Sequence, residues 1–411
     1  MTAVHSWRHL PRSQDSTPEC SAVVLGMGPT ALALVRALGR KGIPVYGVGL
    51  SKYEVALSSK YCKPLGATDS RYDPHKLLEL LVDFASKQSG AKNPVLYPSG
   101  DECVEFIGAN YSTLSGYYSF SKLNPTLVEL FLDKALFYQA CIQHGLPAPL
   151  TVLPESASEL ESISKELTYP CIVKPRYYHR WAMNHGLVKG VVCQKPDELR
   201  ILAERWANDL HHFIIQEVID GLETDIYVFA AYFDRNSNPH GVFVGQKIRQ
   251  YPVGFGTTTM MRTAHKPELE EMSISFLQKV GYEGLCDVEY KYDRRDGSCR
   301  IVEINPRIGR WYGIVEAAGH DTIYYSYLDL TDRPIRDVHT ESKDVTWAFT
   351  SRDFLSVIEN KRWGVMSALR SYSGTKTWCI WARDDVKPFF AYFGEMATKG
   401  VKYLWRQRNH R

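Results

Sequence analysis

Apolar positions along the first hundred residues follow two alternating periods. Ala22-Val23-Val24-Leu25 is a short apolar run closed by Gly26-Met27-Gly28-Pro29, which predicts a buried strand and a turn. Leu32, Leu34, Val35 and Leu38 then recur at helical spacing, with Gly39 and Gly42 at the end, and Ile43–Val48 predicts the next buried strand. A strand–Gly loop–helix–strand unit implies a parallel sheet, hence an α/β fold. A helix over Pro74–Lys87 and a strand at Val95-Leu96-Tyr97 continue the alternation. The turn Pro98–Glu102 follows that strand, where such sheets place ligands. Asp101 therefore reads either as a group facing a substrate or as a helix cap.

From Pro125 the pattern changes. A helix is predicted over Pro125–His144 and is stopped by Gly145-Leu146-Pro147-Ala148-Pro149. Strands follow at Cys171–Lys174, Gly190–Val192, Phe213–Gln216, Asp225–Tyr232, Gly241–Ile248, Gly284–Tyr292 and Arg300–Asn305, with helices at Pro196–Asn208 and Pro267–Val280. Turns at Asp225, Gly241 and Asp296-Gly297 make this second block antiparallel, and Gly254–Thr259 reads as a glycine-rich loop. The expected organisation is a tail over 1–20, an α/β domain over 21–120, an α+β domain over 121–330 with a small subdomain at about 150–220, and an aromatic C-terminal appendage over 331–411.

Composition narrows the classes. The chain has 411 residues, 44% apolar and 23% charged, which excludes disordered, collagen-like and coiled-coil chains. A net charge of +3 supplies no field for nucleic acid, so no nucleic-acid partner is expected. The nine cysteines include no CxxC pair and several sit in apolar runs, which fits reduced thiols and a cytoplasmic location. The first twenty residues have no hydrophobic signal-peptide core. Phe393–Arg411 sets Met396, Val401, Leu404 and Trp405 among Lys399, Lys402, Arg406, Arg408 and Arg411. That basic amphipathic helix fits weak contact with an anionic membrane surface on one reading, and a solvated helix or homodimer packing on the other.

Beside the glycine loop, four features need explaining together: an acid–amide set, a strand lysine, the segment Gln216–Asp225 and an arginine. Gly26-Met27-Gly28 lacks the third glycine and the distant acid of a dinucleotide fingerprint, since Ala31 and Gly49-Leu50-Ser51 stand there; a Rossmann-like scaffold without a dinucleotide is expected. Glu303 and Asn305 are two apart on one strand and share a face, and Glu289 on the preceding strand pairs beside them. Hard oxygen donors on a rigid sheet suit Mg²⁺ shared with phosphate. Lys174 closes a buried strand, which is costly unless it meets an anion. Arg307, with Gly309 and Arg310 after it, stands beside the metal candidates and suits forked binding of phosphate or carboxylate. Lys134 and the segment Gln216–Asp225 are ambiguous by themselves.

Together these features resemble the ATP-grasp superfamily over roughly Leu130 to Tyr325. Val302-Glu303-Ile304-Asn305-Pro306-Arg307 is similar to its metal strand, and Glu289 to its upstream metal acid. Lys174 in Ile172-Val173-Lys174-Pro175 and Lys134 before Gly145-Leu146-Pro147-Ala148-Pro149 resemble its two nucleotide lysines. The resemblance further implies an adenine hinge at Gln216, Glu217 and Val218, a ribose acid at Glu223 with Asp225 as competitor, and phosphate neutralisation by Lys247. Arg307 and Arg310 would serve catalysis, and the first block would be the family's Rossmann-like pre-ATP-grasp domain, with nucleotide between two α+β subdomains of the second. The bulky run Tyr177–Gly186 departs from the family's small phosphate loop, so it is either a lid or an acceptor site. D-aspartate ligase-like and carbamoyl-phosphate-synthetase-like carboxylate–amine ligases are the nearest likeness. They imply ATP and Mg²⁺ (or Mn²⁺) as cofactors and small-molecule carboxylate and amine substrates. The alternatives are a non-catalytic nucleotide-binding protein or an ATP-grasp carboxylase or kinase.

Overall fold

The computed structural model describes residues 20–396 apart from 70, 72, 89–91, 155, 179–180, 182–189, 207–208, 337–341 and 361. Most of the loop 177–186 and the basic end beyond 396 therefore lie outside the described residues.

The first sheet has four parallel strands, β1 (Ala22–Leu25), β2 (Val45–Gly49), β3 (Cys62–Ala67) and β4 (Val95–Pro98), in the order β3-β2-β1-β4. Its central strand is apolar on both faces because helices cover both. Val23, Leu25 and Leu96 pack on the helices Pro74–Ser86 and Asp101–Ala109. Ala22 and Val24 face helix Ala31–Arg40 and join a core shared with the large sheet. β1 ends at Gly26, whose φ of +74° suits glycine, and Ser99 Oγ at the end of β4 donates to its carbonyl at 2.5 Å. The two strand ends are thus tied side by side.

A small antiparallel sheet holds β5 (Thr151–Val152), β6 (Cys171–Pro175), β7 (Val191–Cys193) and β8 (Phe213–Glu217) in the order β5-β8-β6-β7. The large sheet holds β9 (Ile226–Phe233), β10 (Pro239–Tyr251), β11 (Thr257–Thr263), β12 (Gly284–Tyr292), β13 (Cys299–Asn305), β14 (Thr346–Ala348) and β15 (Thr375–Trp378), in the order β13-β12-β9-β10-β11-β14-β15. One face packs Phe229, Val288 and Tyr290 on helices Lys134–Gln143 and Pro267–Lys279. The other packs Val228, Phe243 and Trp347 towards the parallel sheet.

Three expectations are corrected. The helix over Pro125–His144 is two helices, Pro125–Leu132 and Lys134–Gln143, because Asp133 is extended and its carboxylate caps Ala135 N at 2.9 Å. The glycine-rich segment 254–259 turns at once into β11, whose β-branched run Thr257-Thr258-Thr259 pairs with β10. The region past 331 is not wholly an appendage. β14 pairs antiparallel with β11 and parallel with β15, so it extends the large sheet. It is also held at a distance in sequence: Arg36 Nε donates to Asp385 at 3.0 Å in a buried pair.

Candidate active site

A cavity of about 620 Å³ opens where the three sheets meet. The register places the candidate acids. Glu289 on β12 lies directly opposite Glu303 on β13, and Asp287 lies opposite Asn305. All four line the cavity, while Val288 between the two β12 acids and Tyr290 beyond them are buried in the core. Sequence reasoning missed Asp287 and also Lys291, although Asp287, Glu289 and Lys291 are spaced by two and face one way. Lys291 Nζ donates to the carbonyls of Gly221 and Leu222 at 3.0 Å each, and burial lowers its pKa. Burial pushes the Asp287 carboxyl up to about 8, against the Arg307 charge and with Glu289 and Glu303. Gly309 makes the close approach to it: a Cβ there would stand 2.4 Å from Asp287 Oδ2.

The break at Asp133 places Lys134 in the first turn of its helix and on the cavity wall. Asp133 is itself fixed by Arg176, whose Nε donates to it at 3.1 Å. Lys174 projects from β6, and its Nζ donates to Gln216 Oε1 at 2.9 Å. Burial and the Lys134 charge lower the Lys174 pKa to about 8, against Glu303 and Glu289. The Gln216 side chain is thus committed to Lys174 and Thr151. Glu217 turns its carboxylate away to Arg300 at 2.6 Å, Arg295 at 3.0 Å and Leu150 N at 2.9 Å. The backbone N–H groups of Glu217 and Val218 are likewise spent, on the Leu150 carbonyl at 2.9 Å and the Pro170 carbonyl at 3.1 Å.

Arg307 Nε donates to Asp101 Oδ1 at 2.5 Å, and its NH2 donates to Asn305 Oδ1 at 3.1 Å. Burial opposes its charge, yet Asp101, Asp287 and Glu303 outweigh that and hold it above the usual guanidinium range. Asp101 is the first residue of helix Asp101–Ala109, with Gly100 at the cap, and it lines the cavity. Arg310 also lines it; its Nε is buried with no hydrogen-bond partner, and burial lowers its pKa.

Three expected residues lie elsewhere. Glu223 and Asp225 are not among the residues lining the cavity. Glu223 is buried and accepts from Asn360 Nδ2 at 3.0 Å. Asp225 caps Leu222 N at 2.6 Å and pairs with Arg294 at 2.9 Å. Lys247 stands behind the wall, fully buried, with Nζ 3.2 Å from both Glu289 Oε2 and Gln250 Oε1. It holds Glu289 rather than facing the cavity.

Among the described residues no cluster of three or more His, Cys, Asp or Glu could hold a metal unaided. The two carboxylates Glu289 and Glu303 with the Asn305 amide oxygen nevertheless fit a hard cation that takes its remaining oxygens from phosphate.

Residues 133–327 match the family described as carbamoyl-phosphate synthase L chain, ATP binding domain. That segment, just under half of the chain, is similar to an ATP-grasp domain. It is 25% identical over 244 residues to D-aspartate ligase of Enterococcus faecium, covering 57% of this chain and 58% of that protein. It is 28% identical over 189 residues to the carbamoyl phosphate synthase large chain of Methanothrix thermoacetophila, covering 43% of this chain and 16% of that one. It thus spans less than two thirds of either relative. The fold is shared with the biotin carboxylase domain dimer of Hydrogenobacter thermophilus 2-oxoglutarate carboxylase, solved with MgADP, ADP and bicarbonate. The TM-score there is 0.60 at 16% identity, covering 77% of this chain and 70% of that one. It is shared too with Staphylococcus aureus N5-carboxyaminoimidazole synthetase complexed with ADP, at TM-score 0.62 and 12% identity, covering 80% and 81%. The lysines, the β12–β13 acids and Arg307 all fall inside the matched ATP-grasp segment. Asp101, Glu54 and the loop Gly28–Thr30, which complete the cavity, fall outside it.

Proposed function

We propose that the chain is an ATP-dependent carboxylate–amine ligase that forms an amide through an acyl phosphate and releases ADP and phosphate. The observation that supports this most is that one cavity joins both lysines and the paired acids of the ATP-grasp domain to Arg307, Asp101 and the ends of the parallel strands. A triphosphate and an acceptor can then meet in one enclosure.

The apolar Ile172, Val218 and Ile226 give a planar base a dry slot beside Gln216 and Glu217. Lys134 and Lys174 bind the phosphates. Glu289, Glu303 and Asn305 would hold Mg²⁺, which when bound draws off phosphate charge. A substrate carboxylate oxygen attacks the γ-phosphorus and ADP leaves. The amine nitrogen then attacks the acyl carbon, loses its proton, and phosphate leaves. Such transfers depend on positioning and charge stabilisation. Arg307 is directed by Asp101 and Asn305 towards the oxyanion of that second step, and Arg310, whose NH1 reaches Thr257 and whose Nε lacks a partner, offers its guanidinium to a carboxylate.

The test is an ADP- and phosphate-release screen over carboxylate and amine pairs, with products read by mass spectrometry. Glu303→Gln and Arg307→Ala should each lose turnover by about 10²–10³ with the fold intact. Turnover near wild type in either would remove the assignment. Release with bicarbonate as the sole carboxylate would favour a carboxylase, and no release from any pair a non-catalytic nucleotide-binding role.

A further inference from the structure

We propose that the C-terminal end of the molecule, residues 350–396, docks on an anionic lipid surface. The first observation is where apolar side chains meet solvent. Ten of the sixteen exposed large hydrophobic side chains among the described residues lie in this stretch. They include Phe354 (65% exposed), Ile358 (64%), Met366 (64%), Leu369 (60%) and Phe390 (67%). Apolar exposure on that scale marks a contact surface.

These side chains come from three neighbouring helices, Thr350–Glu359, Val365–Ser371 and 387–396. Tyr372, just past the second, donates to Asp353 on the first. Ser351 on the first bonds Tyr392 on the third at 2.9 Å. In the first helix Asp353 and Ser356 face the sheet, which leaves Phe354 and Ile358 outward.

Charge selects the occupant. Residues 350–396 hold seven Lys and Arg against five Asp and Glu, and the sequence beyond them, 397–411, adds five more Lys and Arg and no acid. Three of those five acids are paired with cations from other parts of the chain: Asp353 on buried Arg249, Asp385 on buried Arg36 and the exposed Asp384 on Arg40. The exposed cations Arg352, Arg362, Arg370 and Lys387 remain around the apolar groups. A second copy meeting this surface through the same face would bring like charges together. An anionic bilayer answers both signals, since burial of aromatic and aliphatic side chains and attraction of basic ones act jointly at the interface. Contact is peripheral, because no helix among the described residues is long and apolar enough to cross a membrane.

The full chain is sedimented with vesicles of phosphatidylcholine alone and of phosphatidylcholine with an equal part of phosphatidylglycerol. It should pellet with the mixed vesicles only, and high salt should weaken the binding. Phe354→Ser/Ile358→Ser/Phe390→Ser should reduce binding about tenfold or more while nucleotide binding stays unchanged. Arg362→Glu/Arg370→Glu, which leaves the apolar groups in place, should reduce it as well. Absence of sedimentation, equal binding to neutral vesicles, or unchanged binding by both variants overturns the proposal. So does a concentration-dependent dimer that the triple variant abolishes, which would assign the surface to a second copy.

Discussion

Lys247 and Arg249 stand two residues apart on β10, and each is almost wholly shielded from solvent, at 1% and 0% exposed. Lys247 reaches Glu289 on the cavity wall and Gln250 beside it. Arg249 turns to helix Thr350–Glu359, where Asp353 takes Nε at 2.9 Å and NH2 at 2.6 Å. Trp363 lies 4.6 Å over its guanidinium, and Thr259 Oγ1 donates to Asp353 at 2.8 Å. Regular strand spacing would give the two cations one set of neighbours. Register shifts on either side of Arg249 separate them. A buried cation must be paired wherever it stands, so burial alone does not identify a working residue. The address of its partner does: one pair steadies the site and the other fastens the C-terminal region to the sheet.

The largest expected effect comes from the second pair. Asp353→Ala leaves Arg249 buried and uncompensated, a loss of about 3–5 kcal/mol. The thermal midpoint should fall clearly, while the folded fraction keeps nucleotide binding at low temperature. The double change Arg249→Met/Asp353→Leu should regain much of the loss, because an apolar pair of similar volume avoids desolvating charge. Next is Glu289→Gln, which should lower turnover by about 10²–10³ and also lower the midpoint, though less than Asp353→Ala, because the buried Lys247 keeps hydrogen bonds but loses its carboxylate. Lys247→Met should move in the same direction, since it frees Glu289 from its tether. Loss of nucleotide binding by Asp353→Ala at a temperature where it is folded would collapse the distinction.

A smaller effect separates two roles for Glu223. If its carboxylate only receives Asn360, then Asn360→Ala removes one hydrogen bond to a buried charged group and costs about 1–3 kcal/mol. Glu223→Gln should then leave the KM for ATP unchanged. A marked rise in that KM with an unchanged midpoint would return Glu223 to the nucleotide.

Why some of this was legible in the sequence follows from the distance over which each signal acts. Glu303 and Asn305 are spaced by two on a strand whose neighbouring positions Ile301, Val302 and Ile304 are apolar, so the pleat sets them on one face, and Arg307 follows two residues past the strand's end. The parallel sheet could be read from Ala22–Leu25 and Val95–Tyr97 because two-sided burial leaves runs of apolar residues. Asp287 carried the same spacing signal and was passed over. Local pattern could not place Lys247 behind the wall, because its partner Glu289 is 42 residues away on another strand. Nor could it foresee that Glu223 meets Asn360, 137 residues away. β14 and β15 are three and four residues long, too short to show a period, and sheet pairing alone defines them.

Lys174 sharpens the comparison from the opposite side, since among the described residues no carboxylate pairs with it directly and its hydrogen bond goes to the Gln216 amide. Burial, with Lys134 nearby, brings its pKa to about 8, whereas a lysine in the unfolded chain titrates near about 10.4. Between those values the unfolded chain holds the proton that the folded one has lost, so this group makes stability rise with pH across that window. Bound phosphate acts the other way, because it favours the ammonium. Above about pH 8 nucleotide binding must take up a proton at Lys174, and affinity should fall by up to about tenfold per pH unit. Lys174→Arg keeps its charge throughout and should flatten that slope, even where its altered shape weakens binding overall. Isothermal titration with ATP on both sides of pH 8 reads the difference. An equal slope in both proteins would mean that Lys174, like Arg249, is a buried cation whose charge serves the fold and not the phosphates.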